Sequence, residues 1–190
     1  MIPVPAMPTP SKPVPGPSDK SRRRSSGSAK ARRSAARLAA VQVLYQVDLT
    51  GAPAPNALNE YVKHRVGEEI DGDVLVTPDT ELLGAIVNGT MARLTDIDGM
   101  LSGSLHGHAL ERLELLLRAT LRAGAYEILA HQDVHPRIII NDYVNVTHAF
   151  FAGREPAMVN GVLDRIAHVV RPDEMVPGAA APGGTGGGAE

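Results

Sequence analysis

The sequence predicts an all-α fold, and three observations carry that expectation. Trp is absent, and only two Phe and four Tyr occur in 190 residues, so the core has to be built from Leu, Ile, Val, Ala and Met, which suits packed helices better than a β-sandwich. Apolar residues recur at helical rather than alternating spacing. Pro and Gly fall between the periodic segments instead of inside strand-length runs. Six or seven helices are expected and no strand; the run 137–140 (RIII) is the only rival, and it is too short.

The first expected helix runs from Ala31 to Leu49, with Leu38, Val41, Leu44, Tyr45 and Val47 on its apolar side and no breaker before Gly51. Pro53 and Pro55 interrupt, and a short amphipathic piece follows with Leu58, Tyr61, Val62 and Val66. Thr77-Pro78 reads as an N-cap followed by Pro at the first helical position, with Glu81 completing the cap. That helix carries Leu82, Leu83, Ile86, Val87, Met91 and Leu94 towards Leu101. Residues 110–129 predict two helices or one bent one. Pro136 opens a helix through Tyr143 and Phe150, and Pro156 opens the last, which Pro172 stops. The Gly of Asn88-Gly89 and of Asn160-Gly161 lacks flanking strands, so each is read as a close helix-packing contact.

The flanks differ from this body. Residues 1–29 are Pro-rich, then Ser- and Arg-rich, and cannot bury enough apolar surface to offset chain entropy; they are expected to be a disordered arm. Residues 173–190 end in Gly, Ala and Pro and predict a flexible tail. The expected folded unit is 30–172. The net charge of −2 conceals an asymmetry: residues 1–37 carry +8 and the remainder −10. A basic arm on an acidic body suggests a polyanion held at one end, against the simpler reading of a solubilising tail.

Several classes of function are excluded. No apolar run is long enough to cross a membrane, no secretory leader is legible, and the absence of Cys leaves neither disulfides nor thiolate chemistry, so a cytoplasmic protein is expected. No dinucleotide fingerprint, P-loop or nucleophile elbow occurs, and the terminal GGTGGG follows no strand. His131 and His135, or His106 and His108, have no third convergent ligand. Neither an enzyme nor a metal or other cofactor is expected.

What remains is a binding surface. In KARRSAARLAAVQVLYQ, Arg33 and Arg37 are one turn apart with Lys30 a turn earlier, and Arg32 lies beside them; that stripe, with Arg22 to Arg24 before it, could track phosphates. Positive charge at a helix start opposes the macrodipole, which argues for a partner. Arg122 sits in a nearly apolar run, where an unpaired charge is expensive, so it either pairs with an acid from another helix or reaches a surface groove. Asn141, Asp142, Asn160 and Asp164 interleave with core positions, and capping or inter-helix hydrogen bonds account for at least half of them.

Taken together, RR-x3-R-x3-VQVLYQ from Arg32, LR-x3-YE-x-L at 121–129, IND at 140–142 and VNGVLDRI at 159–166 resemble the NusB family of transcription antitermination factors over residues 30–172. The resemblance implies two small helical subdomains, no catalysis, and binding of boxA RNA in ribosomal RNA leaders jointly with NusE, a small ribosomal subunit protein. It further implies action on the RNA polymerase elongation complex with other Nus factors, and a monomer or a homodimer. By position it implies RNA contacts at Arg33, Arg37 and Arg122 and places Tyr45 near the partner surface; Asn160 is matched too, with a purely structural role as its alternative. Lys30 and Arg32 of the basic stripe are added to the expected RNA contacts, and Leu117 and Arg118 to the expected partner surface. Two positions depart from the pattern: Met158 replaces a frequent aromatic, and Leu117 a frequent acid. Two rivals stand beside this reading. One is the NusB-like domain that precedes ribosomal RNA methyltransferases, for which some two hundred further residues would be needed. The other is a protein-binding helical scaffold whose basic arm is incidental.

Overall fold

A computed structural model describes residues 27–65, 69–70, 73–74 and 76–176. Arg22 to Arg24, Val66 and most of the expected arm and tail lie outside the described residues. The described residues form seven helices of 11 to 22 residues, and a four-residue helix closes the described chain.

Helix α1 (Ala29–Thr50) is the axis of the fold. The Ser28 hydroxyl caps it by accepting from the Ala31 N–H at 3.2 Å, and Gly51, at φ +70°, ends it by donating to the Val47 carbonyl. Its buried side includes Ala36, Ala39, Ala40, Val41, Val43 and Leu44. Three alanines in that set let neighbouring helices approach closely. Accordingly α1 packs against α2 (Ala54–Arg65) and α3 (Thr80–Ala92), and also against α5 (Leu115–Ala130) and α6 (Pro136–His148). The remaining helices are α4 (Leu94–Ser104), α7 (Glu155–Val170) and α8 (Pro172–Met175). Helix α5 packs against α1, α3, α4, α6 and α7, and the buried residues of all these helices join in one core. Leu121, Ile128, Ile139 and Leu163 are fully buried there, each contributing about 1.5–3 kcal/mol of transfer free energy.

Local details correct several expectations. The cap of α3 is Asp79, whose carboxylate accepts from the Leu82 N–H at 3.1 Å; Thr77-Pro78 stands just before it, and Glu81 lies within the first turn. The Asp79 N–H donates to the Arg32 carbonyl, which ties this entry to α1. The segment expected to run on towards Leu101 breaks at Arg93 into α3 and α4. Residues 110–129 resolve into a 3-10 turn (Leu110–Arg112) and the single helix α5. A two-residue antiparallel pairing, Glu69–Ile70 with Asp73–Val74, links α2 to α3 where no strand was expected. The suspected strand 137–140 is helical.

Of the two Asn-Gly glycines, only Gly89 is a packing contact. A Cβ there would lie 2.0 Å from the Tyr126 ring, whereas at Gly161 it would meet only the Arg165 side chain at 3.7 Å. Gly124 is a second close approach, with Leu163 of α7 at 2.7 Å from a Cβ.

Candidate nucleic-acid interface

A groove of about 810 Å³ opens where the first turns of α1 face α6 and the α5–α6 connection. Lys30 and Arg33 line one side; Arg137 and Asn141 line the other; Val134 and Ile138 provide apolar floor. Lys30, Arg33, Arg137, Ile138 and Asn141 are all exposed. Arg37, Asp133 and Asp142 also line the groove; with Asp142 paired to Arg37, the three exposed cations Lys30, Arg33 and Arg137 give it a basic rim that suits a chain of phosphates with unpaired bases. Arg137, the second residue of α6, is the cation the sequence reading missed. It is exposed at a helix start, directly after the buried Pro136, and nothing local ties it to α1. Arg32, also expected here, does not line this groove; it is half-buried, and its Nε has no hydrogen-bond partner among the described residues.

Arg37, one turn on from Arg33, lies in a buried ion network. It is 3% exposed. Its Nε donates to both Glu127 carboxylate oxygens at 2.9 and 3.0 Å, its Nη2 also reaches Glu127, and its Nη1 donates to Asp142 at 2.6 Å. Ser34 Oγ donates to the same Asp142 oxygen at 3.1 Å, and the buried Tyr143 hydroxyl donates to Glu127 at 3.0 Å. Burial works to lower the Arg37 pKa, yet the hydrogen bonds and charge of Glu127 outweigh it and hold it above the ordinary value. Burial, then the Glu127 charge, push the Tyr143 phenol well up. The Arg37 guanidinium is therefore compensated by two carboxylates and ties α1 to α5 and α6 at the wall of the groove, which it also lines. Asp142 belongs to the same network, in keeping with the inter-helix role expected of it.

Arg122 resolves in the same direction. It pairs with acids from other helices: Nε and Nη2 donate to Asp98 at 2.7 Å each, and Nη1 donates to Asp48 at 2.8 Å. Arg118 Nε donates to Asp48 at 3.2 Å. Burial opposes the charge of Arg122, and the hydrogen bond with Asp98 and the Asp48 charge more than restore it, raising its pKa. This network clamps α1, α4 and α5, and Arg122 does not line the basic groove. Asn160 is exposed on α7 and is likewise not among the groove residues. Met158 is half-buried and packs against the core.

Tyr45 lines a second cleft of about 440 Å³ together with Leu49, Tyr61, Leu116 and Phe150. Leu49 is 57% exposed and Phe150 44%, so the cleft has an apolar rim. Leu117, expected at a partner surface, is buried in the core; its neighbour Leu116 faces the cleft instead. Among the described residues no helix is long and apolar enough to cross a membrane, and no group of three or more His, Asp or Glu could hold a metal ion.

Comparison with known proteins bears on this geometry. The model of the NusB family matches residues 34–168. Transcription antitermination protein NusB of Rhizobium rhizogenes is 46% identical over 140 residues, covering 73% of this chain and 88% of the relative. That of Novosphingobium aromaticivorans is 47% identical over 140 residues, covering 73% and 95%. Among solved structures, NusB in a complex of antitermination factors NusB and NusE with dsRNA is similar at a TM-score of 0.62 and 25% identity, covering 73% of this chain and 97% of that one. NusB from Aquifex aeolicus is similar at 0.59 and 26%, covering 73% and 90%.

Proposed function

This chain belongs to the NusB family, and on that premise we propose that it is a non-enzymatic, cytoplasmic antitermination factor. It binds boxA RNA of ribosomal RNA transcripts together with NusE and acts on the elongating RNA polymerase. The observation that carries the reading is the groove in which exposed Lys30 and Arg33 of α1 face Arg137 and Asn141 of α6. A similar fold occurs in the complex of NusB and NusE with dsRNA, which supports RNA as the occupant. Lys30, Arg33 and Arg137 neutralise phosphates, Arg32 adds charge beside them, and Arg37 with Arg122 hold the helices that present them. The cleft around Tyr45, bounded by the α5 turn that carries Leu116 and Arg118, receives the protein partner. The functional unit is residues 30–172.

The test is fluorescence anisotropy of labelled boxA RNA and a scrambled control, each titrated with the full chain with and without NusE. Tighter binding to boxA that NusE strengthens is the expected result. Equal, weak binding to both RNAs, indifferent to NusE, would leave a helical scaffold with a cationic surface.

A further inference from the structure

The C-terminus of α5 leaves main-chain carbonyls without helical partners, as every helix end does. Here one of them, on Ile128, and three carbonyls of the connection that follows, on His131, Gln132 and Val134, accept from one side chain. Arg171, between α7 and α8, donates through Nη1 to Ile128 at 3.5 Å, His131 at 3.2 Å and Val134 at 2.9 Å, and through Nη2 to Gln132 at 3.1 Å. Its Nε and Nη2 also hold Glu174 at 2.6 Å each. Arg171 is 6% exposed, and all three guanidinium nitrogens are in use. The segment it grips, 131–135, supplies Val134 and His135 to the basic groove and leads directly into Arg137. From the other side, Arg137 Nη2 donates to the Met175 carbonyl of α8 at 3.4 Å.

We infer that Arg171 is a positioning residue for RNA binding, which sets the α5–α6 connection, and with it Arg137, as one wall of the groove. Arg171 does not line the groove and acts through the backbone it holds. The inference rests on the RNA reading given above. A planar fork with five donors is what satisfies carbonyls spread along a connection and a carboxylate at once; a lysine ammonium keeps the charge and cannot span them.

The experiment uses the full chain as wild type, Arg171→Lys, Arg137→Ala and the double variant. Binding of fluorescein-labelled boxA RNA is read by anisotropy, and amide hydrogen exchange is read across residues 128–140. Arg171→Lys is expected to weaken binding about fivefold, the order of one or two misplaced hydrogen bonds. The double variant should bind no more weakly than the weaker single one, because both act through one wall. Exchange should quicken at 131–135 and not in the middle of α1. Glu174→Gln, which keeps the guanidinium and removes only its carboxylate partner, is the second variant should Arg171→Lys not fold, and a smaller change in the same direction is expected. Unchanged affinity in the variant that folds, or losses that multiply in the double variant, would overturn the inference. If wild type itself fails to prefer boxA over scrambled RNA, the RNA reading fails, and exchange decides the rest: quickening confined to 131–135 retains Arg171 as the setter of this wall, and no change removes it.

Discussion

Arg33 and Arg37 sit one turn apart on α1, and their environments could hardly differ more. Both line the groove, but Arg33 is exposed there, while Arg37 is buried against Glu127 and Asp142. The difference follows from depth: α1 enters the core at Ala36, so a cation after that point must bring its counter-ions with it. Arg37→Ala would leave Glu127 and Asp142 without their cation, and about 3–5 kcal/mol of stability should be lost. Urea unfolding measures this, and a loss below about 1 kcal/mol would contradict a buried, compensated network. Spacing alone could not separate the two arginines, because the acids that claim Arg37 lie 90 and 105 residues away. Arg122 was half legible: its apolar surroundings announced the need for a carboxylate, but Asp48 and Asp98 were not nameable from sequence. Arg171 offered locally only its pairing with Glu174, three residues on, since the main-chain carbonyls it holds lie some forty residues upstream.

At the scale of elements, the helices were legible because apolar periodicity and Pro at helix starts are local signals, as α6 with Pro136 at its first position shows. Junctions were less so. Arg93 divides α3 from α4 without a Gly or Pro, and Asp79 rather than Thr77 caps α3, a choice made by the contact between the Asp79 N–H and α1. The two Asn-Gly glycines show the same limit, since identical dipeptides differ only in what packs on them. Gly89→Ala would drive a methyl group into the Tyr126 ring and should cost about 1–3 kcal/mol. Gly161→Ala makes only an ordinary contact with the Arg165 side chain on α7 and should stabilise by about 0.4–1 kcal/mol. Thermal unfolding of the two variants is the measurement; a Gly89→Ala variant as stable as wild type would mean that packing there is looser than its geometry implies, and a destabilised Gly161→Ala would contradict the contrast between the two glycines.

For the whole molecule, the fold places its basic groove at the meeting of three helix ends and then ties it down from the far terminus. The clip between Arg171 and Glu174 makes that tie dependent on pH. The hydrogen bond from Arg171 holds the Glu174 carboxyl below its ordinary pKa, so the ionised form is favoured in the folded state. Its contribution is therefore complete above the ordinary carboxylate range and is lost as pH falls through the depressed value. Stability of wild type relative to Glu174→Gln should shrink on acidification through that range, and a difference independent of pH would remove the clip from the account. The all-helical class was recoverable from the chain, and so was the basic character of the first turns of α1. The opposing wall of the groove was not, because Arg137 joins Lys30 and Arg33 only after some hundred residues have folded back.

The central claim is that exposed cations of this groove, and not the buried arginines, meet RNA phosphates. The most direct test is the salt dependence of boxA affinity for wild type and Arg33→Ala. Each phosphate contact to a single strand contributes a slope of about −0.7 in log affinity against log salt, so the variant should bind more weakly with a slope shallower by about that amount. An unchanged slope and affinity in Arg33→Ala would contradict the claim and place the RNA elsewhere on the molecule.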